Sequence, residues 1–126
     1  MAKILVVDDD VNNRLLLRTL LESVDHVVHE AASAAEGLRV IGDAAPDLVI
    51  VDLHMPEVDG VSFIRTLRND PDLASLEIAL YTGTSPSAAL EDFLDLYGVK
   101  TIIPKPCEPE ELLQRVRSAL ISSSSA

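Results

Sequence analysis

The chain holds a single cysteine, Cys107, and only 10 basic side chains against 21 acidic ones, and each shortage closes off a class of function. One thiol offers no internal disulfide, so nothing in the composition asks for an oxidising compartment. With no second thiol to resolve it, Cys107 reads as a small packing residue rather than a redox sensor. A formal charge of −11 makes phosphate backbones and anionic membrane surfaces repel the chain, which argues against direct nucleic-acid or membrane binding. No apolar run is long enough to span a bilayer, and no opening stretch reads as a signal peptide. The expected location is cytoplasmic.

What is present is enough apolar material for one core: 126 residues at 48% hydrophobic content fit a single domain and leave no room for a second. Short β-branched runs alternate with longer segments of helical period, the pattern of βα units on a parallel sheet. Five units follow one another. Strands are expected at residues 3–7, 26–31, 48–51, 78–81 and 101–103. The first helix, 11–23, can bury Leu16, Leu17, Leu20 and Leu21 on one face. Ser33-Ala34-Ala35-Glu36 reads as a capping box opening a second helix that ends near Gly42. A third helix spans 59–68 and is closed by Asn69-Asp70-Pro71. Ser85 and Pro86 read as N-cap and first helical residue of a fourth, ended by Gly98. Pro109-Glu110-Glu111 opens the fifth. Residues 1–121 form the domain, and 122–126 read as a polar, solvated tail or the start of a linker.

Ligands of open α/β sheets bind at the carboxyl edge of the strands. On this map that edge carries Asp8 and Asp9 after the first strand, Asp52 at the third, Thr82 at the fourth and Lys105 after the fifth. Any one of these alone would be an ordinary loop residue in an acidic protein; polar groups at the ends of four strands together argue for a site. Clustered carboxylates repel, and a divalent cation resolves the repulsion. The ligands on offer are all oxygen: Asp9, Asp52, Asp8 through water, and the backbone carbonyl of His54. That set suits Mg²⁺ better than Zn²⁺. Mg²⁺ and Lys105 would neutralise an incoming phosphoryl group, the Thr82 hydroxyl would donate to it, and Asp52 is the natural nucleophile.

Four motifs carry a family resemblance: Ile4-Leu5-Val6-Val7-Asp8-Asp9-Asp10, Val51-Asp52-Leu53-His54-Met55-Pro56-Glu57-Val58-Asp59-Gly60, Tyr81-Thr82-Gly83 and Pro104-Lys105-Pro106. From residue 3 to about 121 the chain resembles a response-regulator receiver domain of two-component signalling, the CheY-like family. The resemblance implies a flavodoxin-like, doubly wound (βα)5 parallel sheet of order 2-1-3-4-5. It further implies phosphorylation of Asp52 by a histidine kinase or a histidine phosphotransfer protein. Asp8 and Asp9 match the acidic pair that organises Mg²⁺, Thr82 the switch hydroxyl, and Lys105 the lysine that contacts the phosphoryl group. The Lys105-Pro106 bond is expected to be cis. On activation the face made by helix four, strand five and helix five is repacked. Three positions depart from the family. Ile102 stands where Tyr or Phe usually couples to the switch, Gly83 where alanine is more common, and Cys107 where phenylalanine is frequent.

Met55 and Pro56 read as shaping the loop, while His54 and Thr84 border the path of attacking water. His26 and His29, three apart on a strand, point to opposite faces and make no metal pair. A nucleotide or flavin module on the same fold would need a Gly-, Ser- or Thr-rich loop where Asp8-Asp9-Asp10 stands. A Mg²⁺-dependent phosphatase of the haloacid-dehalogenase kind would need Asp-x-Asp, and here His54 lies two after Asp52. A degenerate receiver that binds partners without phosphorylation is the remaining alternative. The expected role is a regulatory domain with no separate substrate, rather than an enzyme. Its output, a further domain or a downstream protein, is not legible. Acids at Glu91, Asp92 and Asp95 and bases at Arg115 and Arg117 offer a phosphorylation-linked homodimer, weighed against plain solvated charges.

Overall fold

Strands covered on both faces by helices have no solvent side, so they read as unbroken apolar runs rather than alternating ones. In the computed structural model, which describes residues 2–54, 59–83 and 86–124, five strands form one sheet, the three central ones built of such runs. They are β1 (Lys3–Val7), β2 (Val27–Ala31), β3 (Leu48–Asp52), β4 (Glu77–Thr82) and β5 (Thr101–Pro104). Between and after them run α1 (Val11–Glu22), α2 (Ala34–Ala44), α3 (Gly60–Asn69), α4 (Ala88–Leu96) and α5 (Pro109–Ser124). All pairings are parallel and the order is β2-β1-β3-β4-β5, the doubly wound arrangement expected.

Alternation along the strands splits the interior into two cores. Leu5, Val7, Val49, Val51, Ile78 and Leu80 face Ile41 of α2, Phe63, Ile64 and Leu67 of α3, and Leu94 of α4. Ile4, Val6, Leu48, Ile50, Ala79, Tyr81 and Ile103 face Leu17 and Leu21 of α1 and Leu112, Val116 and Ala119 of α5. Helix starts are held by side chains that take up orphan N–H groups: Asp10 accepts from Asn12, Ser33 from Glu36, Asp59 from Ser62 and Ser87 from Leu90. Gly98, at φ 70°, follows the end of α4 as expected.

Several local expectations are corrected. The cap of α4 is Ser87, not Ser85, and Pro86 precedes the helix instead of opening it; Ser85 itself lies outside the described residues. The Ser87 Oγ accepts from the Leu90 N–H at 3.1 Å. Leu16 is 48% exposed, because the inward line of α1 runs through Leu17 and Leu21 with Leu20 only half-buried. Leu16 lies about 100° around the axis from Leu17. Helix α2 continues past Gly42 to Ala44, and Ala45 ends it in the left-handed region at φ 50°. His26 precedes β2 rather than starting it; its Nδ1 accepts from the Ala2 N–H at 3.2 Å. At the other end α5 runs to Ser124, so the helix extends into the segment from 122 that was expected as a polar tail.

Candidate functional site

Two central strands deliver buried carboxylates to one edge. Asp8 follows β1, and its N–H donates to the Ala31 carbonyl at 3.0 Å, which prolongs the β1–β2 ladder and leaves the residue 1% exposed. Asp52 is the last residue of β3 and is 6% exposed. Asp9 is exposed, yet Asp8, Asp9 and Asp52 each bring one carboxylate oxygen within 4.8 Å of the others. From β5, Lys105 reaches back over this group, with Nζ 3.1 Å from Asp52 Oδ1 and 3.7 Å from Asp8 Oδ2. The His54 N–H also donates to Asp52 Oδ1, at 3.3 Å. Thr82 ends β4 beside them, 2% exposed, and its carbonyl accepts from the Lys105 N–H at 2.9 Å. The Lys105–Pro106 peptide is cis.

The charges are unbalanced. Three carboxylates meet one ammonium, and Asp8 Oδ2 is fully buried with no hydrogen-bond partner among the described residues. Asp8 Oδ1, by contrast, accepts from the Asp10 N–H at 2.9 Å. Burial pushes the Asp8 carboxyl above its ordinary pKa and the Asp52 charge adds to this, against the opposing pull of the Asp10 N–H, Lys105 and Asn13. An orphaned, desolvated oxygen beside two further carboxylates fits a hard divalent cation, which prefers oxygen donors and would relieve the repulsion.

The structure thus brings Asp8, Asp9, Asp52, Thr82 and Lys105 together, as the strand ends implied. Ile102 stands apart, half-buried against the α3 and α4 side, with its carbonyl accepting from Arg115 Nη1 at 2.9 Å. Gly83 leaves room for more: a Cβ there would meet Lys105 at 3.6 Å, an ordinary contact that alanine would tolerate. Met55, Pro56 and Thr84 lie outside the described residues.

Three contributors escaped the sequence. Arg14 of α1 donates through Nη1 to the Asp8 carbonyl at 2.6 Å and through Nε to Glu30 of β2 at 3.1 Å. Arg18 shares the same carboxylate at 2.8 Å. Together they tie the first turn of the acidic loop to the edge strand. Tyr81 lies under Lys105, with Nζ 4.6 Å from its ring centroid. The four-residue spacing of Arg14 and Arg18 was visible, but nothing in it named Glu30 as the partner.

The response regulator receiver domain family matches residues 4–117. This chain belongs to that family. Over 118 residues the receiver domain is 36% identical to a probable transcriptional regulator ycf27 of Porphyridium aerugineum, covering 94% of this chain and 48% of that one. It is 37% identical over 119 residues to the response regulator MprA of a Mycobacterium species, covering 94% and 50%. The chain therefore spans about half the length of these curated relatives. Among solved structures, Vibrio cholerae chemotaxis protein CheY4 superposes with a TM-score of 0.87 at 28% identity, covering 94% of this chain and 98% of that one. A CheY-like receiver protein from Methanospirillum hungatei gives 0.88 at 26%, covering 99% and 98%. No described helix of the receiver domain is long and apolar enough to cross a membrane.

Proposed function

We propose that this receiver domain is a phosphorylation switch in which Asp52 accepts a phosphoryl group from a phosphohistidine of a histidine kinase or phosphotransfer protein. A carboxylate oxygen of Asp52 attacks phosphorus, the O–P bond forms as the N–P bond to the donor imidazole breaks, and the imidazole leaves with its electron pair. Asp8, Asp9, Asp52 and the His54 backbone carbonyl would hold Mg²⁺, which when bound offsets negative charge on the transferring group. Lys105, already 3.1 Å from the attacking carboxylate, passes its hydrogen bond to a phosphoryl oxygen, and the Thr82 hydroxyl donates to another. His54 and Thr84 border the water that later hydrolyses the acyl phosphate. The observation that carries this reading is the buried Asp8 oxygen that has no hydrogen-bond partner among the described residues, beside Asp52 and with only the Lys105 ammonium 3.7 Å away among the described cations.

Thr82 moving toward the phosphoryl group draws the β4 end with it, and the change reaches the α4–β5–α5 face past Ile102. The Ile102 side chain couples by packing alone, since it has no ring to rotate into a new hydrogen bond. Residues 1–121 are the receiver unit and 122–126 a tail or linker, in a cytoplasmic protein whose output is a further domain or a docked protein. Arg115 is bound within its own chain to Glu111 and the Ile102 carbonyl, which leaves Arg117 as the exposed base for any pairing with α4 acids of a second copy.

The test is intact mass after incubation with acetyl phosphate, with and without Mg²⁺, beside Asp52→Asn. A Mg²⁺-dependent gain of one phosphoryl group that the variant lacks is the expected result. A folded wild type that binds Mg²⁺ and gains nothing would overturn the reading in favour of a receiver that binds partners without phosphate.

A further inference from the structure

We infer that Tyr81 is a positioning residue for Lys105, its ring face holding the ammonium over the mouth of the sheet while its anionic contacts change. The inference rests on the proposed role of Lys105 at the phosphoryl group. In register, Asp52 of β3, Tyr81 of β4 and Ile103 of β5 lie side by side, so the ring lies one strand from the carboxylate and one from the strand that leads to the lysine. Tyr81 is 3% exposed and packed in the core shared with α1 and α5, which fixes its ring. The ring centroid is 4.6 Å from Lys105 Nζ, within the range of about 6 Å over which a ring face attracts a cation.

Among the described residues the other contacts of that ammonium are both carboxylates, Asp52 and Asp8, and both belong to the group that would hold the metal. Neither stays constant through the reaction. Asp52 becomes an acyl phosphate and Asp8 would serve the cation, so a lysine held by charge alone has to exchange its anchors at the step where it is needed. A lysine head on a four-carbon stem is otherwise free to swing. The aromatic face is neutral, competes for neither metal nor phosphoryl group, and persists throughout. Of the four aromatic residues, Phe63, Phe93 and Tyr97 all pack in the opposite core, so Tyr81 alone serves the lysine side of the sheet.

The ring face, not the hydroxyl, carries this role, which separates it from mere core filling. The experiment compares Tyr81→Phe, Tyr81→Leu and Tyr81→Met with wild type. It uses two readouts: the ring-current shift of the Lys105 Cε protons by NMR, and the maximal rate of phosphorylation by acetyl phosphate at saturating Mg²⁺. The expected result is an upfield Lys105 signal and an unchanged rate in the Phe variant. In the Leu and Met variants the upfield shift is lost and the rate falls by about tenfold. Met serves where Leu fails to fold, since its flexible chain refills irregular space. Wild-type rates in Leu or Met, equal losses in Phe and Leu, or a Lys105 signal that never sensed the ring would each overturn the inference. A wild type that shows the upfield signal but takes up no phosphoryl group would overturn the phosphorylation reading and leave the Tyr81–Lys105 contact standing.

Discussion

Adding one methyl group at Gly60 and at Gly42 should move stability in opposite directions. Gly42 lies inside α2, where alanine brings a local advantage of about 0.5–1 kcal/mol, whereas Gly60 is the first residue of α3, where that advantage is small. At Gly42 the new Cβ meets nothing within 4 Å. At Gly60 it falls 2.6 Å from the Asp52 carbonyl oxygen and 2.9 Å from Leu53 Cα, against the 3.4 Å where ordinary contact begins. Both obstacles are backbone, and the Gly60 N–H donates to the Leu53 carbonyl at 2.9 Å, so α3 cannot move away from the β3 end without stretching that bond. Overpacking of this kind costs about 1–3 kcal/mol. Gly60→Ala should therefore lose about 1–3 kcal/mol while Gly42→Ala gains about 0.5–1 kcal/mol, both read by urea denaturation. The clash also falls on the residue proposed to react. A misplacement near 1 Å costs roughly a hundredfold in rate, so Gly60→Ala should phosphorylate far more slowly from acetyl phosphate, and Gly42→Ala at the wild-type rate. Equal stability of the two variants, or a wild-type rate in Gly60→Ala, would refute the steric argument.

Mg²⁺ at a hundred times its Kd should stabilise the wild type by about 2.7 kcal/mol, and Asp8→Asn should start more stable without the ion and gain less than half of that, both followed as melting temperature. Glu30 is pulled below its ordinary pKa of 4.5, first by the hydrogen bond from Arg18 and then by Arg14, against burial. Its stabilisation is therefore complete above pH 4.5 and lost as the pH falls through the folded value, and Glu30→Gln should flatten the stability curve in that window. Arg68 donates to the Tyr97 and Leu76 carbonyls, bridging α3, the end of α4 and the turn before β4. Arg68→Met should cost about 2–3 kcal/mol in urea denaturation, because two charge-assisted bonds are lost at once.

The apolar runs announced their strands because a sheet covered on both faces needs no polar alternation, and the residues that break those runs mark the site. Asp8, Asp52 and Thr82 were legible for that reason: each is a polar group at the end of a buried strand. The strand order was not legible from the runs themselves and came with the family resemblance. Helix α4 shows where local signals fail. Ser85 and Ser87 flank the same proline, and only the turn the chain takes decides which hydroxyl meets a helical N–H. Leu16 was misplaced because four leucines within six positions fit several inward directions, and the one adopted also turns Arg14 and Arg18 toward Glu30. Tyr81 and Arg14 escaped because their roles are contacts between elements distant in sequence, which no spacing along the chain encodes.

The short β5 strand bears on self-association as well as on the proposed switch. It is an edge strand, and an open edge invites pairing with a second molecule and, in time, fibrous association. Arg115 of α5 folds over this edge and occupies the Ile102 carbonyl at 2.9 Å, while Pro104, two residues on, has no N–H to offer. An incoming strand would find one acceptor already taken and one donor missing within four residues. The Arg115–Ile102 bond thus stands in the way of self-templating, and the proposed repacking of the α4–β5–α5 face would have to keep that bond or replace it with a partner.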